Sequence, residues 1–108
     1  MNRIQRWTGS LLLALFACGT VSFAQSDTQA LYVSKCQPCH GATGDGKTPM
    51  GKKVGAAAFS SKDVVESSDA LLLATIKDGK GKMPAWGNKL TEAQLKDLLA
   101  YVRSLAAK

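Results

Sequence analysis

Residues 36–40 read Cys36-Gln37-Pro38-Cys39-His40, and this stretch decides the fold. Two thiols and an imidazole within five residues need a common partner. A Cys36–Cys39 disulfide would leave His40 without a role. A structural zinc site needs about four ligands, and beyond Ala24 the chain offers only Cys36, Cys39 and His40 as thiol or imidazole donors. Cys-x-Pro-Cys also resembles a thiol–disulfide exchange site, where a lowered thiol pKa drives the chemistry. That fold surrounds the motif with strands, whereas here a glycine-rich loop follows. The remaining reading uses all three side chains: Cys-x-x-Cys-His is the attachment spacing of c-type haem. Two thiols three residues apart near a helix end form thioethers with the two vinyl groups on one haem edge, and the adjacent imidazole reaches the iron.

Upstream, Met1–Ala24 reads as an export signal. Arg3 and Arg6 supply the positive start, Leu11 to Ala17 is a short apolar run, and Ser22-Phe23-Ala24 places small residues at −3 and −1 for cleavage before Gln25. The run is well short of the ~20 apolar residues of a spanning helix, so no transmembrane anchor is expected. Leu15-Phe16-Ala17-Cys18 also resembles a lipobox, which would make Cys18 a lipid anchor, although Phe16 is larger than that pattern usually carries. Cleavage after Ala24 removes 24 of the 108 residues, leaving 84, and takes Arg3 and Arg6 out of the +6 formal charge, leaving +4. Cys18 leaves with the signal. A domain of this size buries too little surface to be comfortable without a staple, and covalent haem supplies one.

Downstream, the pattern is helical. Ser26 to about Cys39 reads as one helix, with Ser26 and Gln29 as a capping box and Tyr32, Cys36 and Cys39 on one face. Gly41 to Gly55 holds five glycines and Pro49 and reads as a loop; its Gly44-Asp45-Gly46-Lys47 lacks the spacing and strand–helix setting of a phosphate loop. Lys62–Glu66 reads as a helical turn. Ser68–Lys77 carries Leu72 and Ile76 on one face and stops at Asp78-Gly79. In the last helix Thr91 and Gln94 form a capping box, Leu90 and Leu95 a hydrophobic staple, and Leu95, Leu98, Leu99, Val102 and Leu105 keep helical spacing. No segment alternates like a strand, so an all-α fold is expected.

His40 is the only histidine, which excludes a bis-histidine iron. The sixth ligand is then expected from methionine, and Met50 and Met83 are the two beyond the signal. Met83 lies in Gly79-Lys80-Gly81-Lys82-Met83-Pro84-Ala85-Trp86-Gly87, a strap between two helices, where glycines allow close approach and Pro84 stiffens the chain. Met50 is ten residues past His40, next to the attachment point, and reaches the opposite haem face less readily.

Taken together, Tyr32, Cys36-x-x-Cys39-His40, Lys82-Met83-Pro84-Ala85-Trp86 and Leu98-x-x-Tyr101 resemble the small monohaem class I cytochromes c of bacterial and photosynthetic type, from about Thr28 to Leu105. The resemblance implies a class I cytochrome c fold, with three to four helices and loops wrapped around one covalent haem c. It implies a crossing of first and last helices with Tyr32 and Tyr101 in contact and Leu98 covering the haem edge. Thr28 stands where family members often carry glycine at that crossing. It also implies a loop carbonyl that accepts the His40 Nδ1–H; Pro49 is the one proline of that loop. Trp86 is expected near the haem propionates or the strap.

An iron held by His40 and Met83 has both axial positions filled, so the expectation is a periplasmic single-electron carrier in domain 25–108, not an enzyme. An open sixth position would instead make a gas-binding or sensing protein. Lys47, Lys52 and Lys53, with Lys77, Lys80, Lys82 and Lys89, are expected to ring the haem edge and steer electron-donor and electron-acceptor proteins with acidic docking faces. No nucleic-acid partner is expected, because no aromatic–basic array is present. A monomer is expected.

Overall fold

The computed structural model describes residues 23–108, with side chains from residue 26 onward. Most of the expected export signal, including Cys18, lies outside the described residues. Three long helices make the framework: α1 (Phe23–Lys35), α5 (Asp69–Asp78) and α6 (Glu92–Ala106), with shorter helices α2 (Gln37–His40), α3 (Pro49–Val54) and α4 (Lys62–Glu66) between them. Among the described residues the nearest thing to a strand is an isolated bridge between Lys80 and Met83, so the fold is all-α, as expected. No helix of the described residues is long and apolar enough to cross a membrane.

The first helix differs from the expectation at both ends. It already includes Phe23, the first described residue, so Ser26 sits inside it rather than capping it. It also ends at Lys35. Cys36 adopts φ −115°, ψ −40°, and a new turn begins at Gln37. Pro38 is the cause: it has no N–H to give the Ser34 carbonyl, and its ring would clash with that carbonyl if the first helix ran on. The turn still closes on itself, with His40 N–H donating to the Cys36 carbonyl at 2.9 Å and Gly41 N–H to Gln37 at 2.8 Å.

The glycine-rich stretch contains α3, which the sequence reading did not anticipate. Thr48 caps it by accepting from Gly51 N–H at 2.8 Å, and its hydroxyl donates back to the Pro38 carbonyl at 2.7 Å. Gly51 is required by close approach rather than by φ. A Cβ there would lie 2.1 Å from the Cys39 carbonyl oxygen, so α3 packs backbone to backbone on α2. Further on, Ser68 caps α5 and Gly79 ends it. The Thr91–Gln94 capping box opens α6 with both reciprocal bonds made.

Helix α1 packs across α6. Tyr32 is fully buried there and meets Tyr101 at 4.9 Å between ring centroids; Thr28 is buried as well. The core is divided. One cluster joins Tyr32, Phe59, Leu98 and Leu105, and a second joins Ile76, Leu95 and Leu99. Phe59, Leu98, Ile76 and Leu99 from the two clusters all face a cavity of about 440 Å³.

Candidate functional site

Cys36, Cys39, His40 and Met83 line this one cavity. The first three arrive on the α1–α2 junction, where the break at Cys36 and the tight turn after it put both thiols and the imidazole on one wall. Met83 arrives from the strap after α5. There Lys80 and Met83 exchange backbone hydrogen bonds at 3.2 and 3.0 Å, while Trp86 and Gly87 N–H groups donate to the Ile76 and Lys77 carbonyls, each at 3.0 Å. The strap is therefore closed on itself at Met83 and tied back to the end of α5 just beyond it. Met50, the other candidate, lies on α3 with 49% of its surface exposed and outside the cavity lining.

The imidazole of His40 is held at Nδ1 by the Ala57 carbonyl, 3.0 Å away. A carbonyl only accepts, so Nδ1 carries the proton and Nε2 keeps its lone pair. Burial holds the His40 pKa below its ordinary value, against the opposing pull of that hydrogen bond, and so favours the neutral, ligating form. The partner is not Pro49, which opens α3 as its first residue. Pro49 was the one distinctive residue of the loop, but what His40 needs is a backbone carbonyl, and any residue supplies one.

Cys36 and Cys39 are free, half-buried thiols. Burial, reinforced by the neighbouring Cys39, pushes the Cys36 thiol up to about 11. Exchange chemistry needs the reverse, a thiolate near neutral pH. Among the described residues no group of three or more His, Cys, Asp or Glu side chains is placed to hold a metal ion, so the zinc reading finds no cluster either.

The cavity fits a haem in three respects. Its volume lies in the range of about 300–1,000 Å³ usual for cofactor sites. Its walls are apolar, from Val64, Leu72, Ile76, Leu98, Leu99 and Val102. Apart from Thr75, its polar side chains are concentrated at the Cys36–His40 turn, the strap and Lys35. Leu98, 1% exposed, lines it as the resemblance implied.

Lys35, Lys80 and Lys82 also line the cavity. Lys35 and Lys89 place their ammonium groups over the Trp86 ring, 5.6 and 5.3 Å from its centroid. Trp86, on the strap, therefore lines the cavity beside Lys35. Lys77 is instead paired with Glu92 at 3.3 Å, and Lys47, Lys52 and Lys53 lie outside the lining. The basic residues at the cavity are thus fewer than the sequence reading expected, with Lys35 added.

Sequence reasoning missed Ala57, Phe59 and Lys35. Ala57 acts through its backbone and leaves no side-chain signal. Phe59 was the single aromatic between the loop and α4, and Lys35 the residue before the first cysteine; both were visible but had no pattern to join.

Comparison with known proteins agrees with this geometry. Residues 24–102 match the family model described as cytochrome C oxidase, cbb3-type, subunit III. The chain is 33% identical over 96 residues to the cbb3-type cytochrome c oxidase subunit CcoP of Azospirillum brasilense, covering 87% of this chain but 32% of that protein. It therefore spans about a third of that relative's length. With cytochrome c6 of Parathermosynechococcus lividus it shares 32% identity over 78 residues, 72% of this chain and 86% of that protein. Among solved structures, the KustC0563 c-type cytochrome superposes with a TM-score of 0.66 at 30% identity, covering 72% of this chain and 95% of that one. The XoxG c-type cytochrome of Methylobacterium extorquens AM1 gives 0.60 at 26% identity, over 80% of this chain and 52% of that one. The chain belongs to this cytochrome c family and has the small class I fold.

Proposed function

We propose that the chain is an exported single-electron carrier holding one haem, attached through thioethers from Cys36 and Cys39 and ligated by His40 and Met83. The observation that carries this reading is the convergence of those four side chains on one apolar cavity. Bound haem supplies a reversible one-electron iron couple.

The chain's own residues set the terms of that couple. Ala57 keeps His40 in one tautomer, which orients the ring and raises its donor strength. The strap's ties to Ile76 and Lys77 hold Met83 at the cavity in both oxidation states, so little need rearrange on electron transfer. Leu98, Leu99 and Ile76 exclude water, which favours the less charged ferrous form, and thioether ligation acts in the same direction. With His40 and Met83 both committed to holding the haem, no place would remain for a substrate, and the chain would work as a carrier rather than an enzyme.

Export fits the Met1–Ala24 signal and the periplasmic setting of covalent haem attachment. Mass spectrometry of the mature chain should find Gln25 first; an acylated Cys18 would make it a lipid-anchored carrier. Partners are redox proteins with acidic docking faces, met by Lys35 and Lys89 over Trp86 and by Lys80 and Lys82 at the cavity, and the carrier works as a monomer.

The deciding experiment is an absorption spectrum from a host able to attach haem, on wild type and Met83→Ala. Wild type should be low-spin, with the weak ferric band near ~695 nm of methionine ligation, and the variant should lose that band and fall in potential. A wild type already high-spin, or unchanged by Met83→Ala, would show an open-site sensor instead.

A further inference from the structure

The segment that bonds His40 also stacks on it. Two residues past Ala57, the Phe59 ring lies against the imidazole with centroids 4.7 Å apart and 28° between planes. Phe59 is 7% exposed and is braced from behind by Tyr32, edge-on at 6.2 Å. Its backbone is anchored as well, with N–H donating to the Gly44 carbonyl at 2.8 Å. Gly44 is glycine for two reasons: its φ is +76°, and a Cβ would fall 2.2 Å from the Phe59 ring. Gly46 N–H closes the arrangement by donating to the His40 carbonyl at 2.8 Å.

A single hydrogen bond at Nδ1 leaves an imidazole free to swing about the line through that bond. A flat ring stacked on its face removes that freedom. We propose that Phe59 is a positioning residue for His40, fixing the rotation of the imidazole plane, with Gly44 as the cleared space that lets the ring reach it. The inference rests on His40 being the haem ligand. Because the plane of an axial imidazole sets how its π orbitals meet the iron, Phe59 thereby tunes the site's electronic asymmetry and potential.

The test uses the haem-loaded protein and its Phe59→Leu and Phe59→Tyr variants. Leucine retains apolar bulk without a flat face; tyrosine keeps the ring. The readouts are the haem-methyl proton shifts of the ferric protein, whose order and spread follow the imidazole plane, and the midpoint potential. Phe59→Leu should reorder or compress the methyl shifts and move the potential, while Phe59→Tyr keeps the wild-type order. Phe59→Leu with wild-type shifts and potential, losing only thermal stability, would make Phe59 a core filler and overturn the proposal. Equal disturbance in both variants would overturn it too, since the flat ring would not be what matters. A wild-type protein without a low-spin, histidine-ligated spectrum would overturn the ligation reading itself, and is recognised before any variant is made.

Discussion

Tyr32 shows how one side chain links the helix crossing to the Cys36–His40 turn. Its ring fills the contact between α1 and α6, and its hydroxyl donates to the Gly41 carbonyl at 2.6 Å, just past His40. Burial, and after it the nearby Cys36, Tyr101 and Asp45, raises the phenol pKa well above its ordinary value near 10. The neutral phenol is therefore the form the fold holds, whereas an unfolded chain ionises above about pH 10. Tyr32 thus stabilises the fold below that pH and loses its contribution as pH rises further. Tyr32→Phe should cost about 1 kcal/mol at pH 7 from the lost hydrogen bond. The gap to wild type should narrow in denaturant titrations at about pH 10.5 and above; a gap constant with pH would show that the phenol does not titrate as assigned.

At the level of elements, the cavity wall depends on a clamp that reaches across 39 residues. Arg103 on α6 donates to the Val64 carbonyl at 3.0 Å and the Ser67 carbonyl at 2.6 Å, closing the end of α4, and pairs with Asp69 at the start of α5 at 3.0 Å. Val64 and Leu72, on either side of that junction, both line the cavity. Arg103→Ala removes the donor to the part-buried Ser67 carbonyl and leaves the Val64 carbonyl only the Ser67 N–H at 3.2 Å, and should destabilise by about 1–3 kcal/mol, read as a lower denaturation midpoint. Arg103→Lys keeps the charge but not the planar fork and should recover less than half of the loss. Asp69→Asn should cost little, because the Asp69 side chain is 77% exposed and its ion pair is screened. If Asp69→Asn matched Arg103→Ala, the carbonyl contacts would not be what holds the junction.

For the whole molecule, the divided core is the governing fact. Two small apolar clusters, joined through Leu90, both border the cavity, so part of the interior is space the chain's own side chains do not fill. A Cys36→Ala/Cys39→Ala chain that cannot attach haem should lose cooperative thermal unfolding and much of its helical circular dichroism, since the group that binds only the folded state is gone. Retention of a sharp transition would show that the helices pack without it. Charge acts at the same scale. With Lys35, Lys80 and Lys82 lining the cavity and Lys89 over Trp86, the bimolecular electron-transfer rate with an acidic partner should fall steeply between low and physiological ionic strength. Substituting Lys35 and Lys89 together should flatten that slope, whereas substituting Lys52 and Lys53, outside the cavity lining, should change it little. A slope indifferent to Lys35 and Lys89 would move the docking face elsewhere.

Local chemistry explains what could be read from the residues in order. The Cys36-x-x-Cys39-His40 spacing, the Thr91–Gln94 cap, the α5 stop at Gly79 and the apolar stripe of α6 each depend on neighbours a few positions apart, and each stands as the sequence alone determined it. Where two local signals competed, the reading slipped: helical spacing ran the first helix through Cys36, and the proline inside the motif broke it. Only the folded chain decided the rest. Ala57 meets His40 across 17 residues with a carbonyl that every residue type carries, Arg103 reaches Val64 across 39, and Lys35 and Lys89 meet on Trp86 from separate elements. Such contacts are set by how the helices close around the cavity. Their partners are backbone groups or ring faces, which leave no periodicity or spacing for a sequence to display.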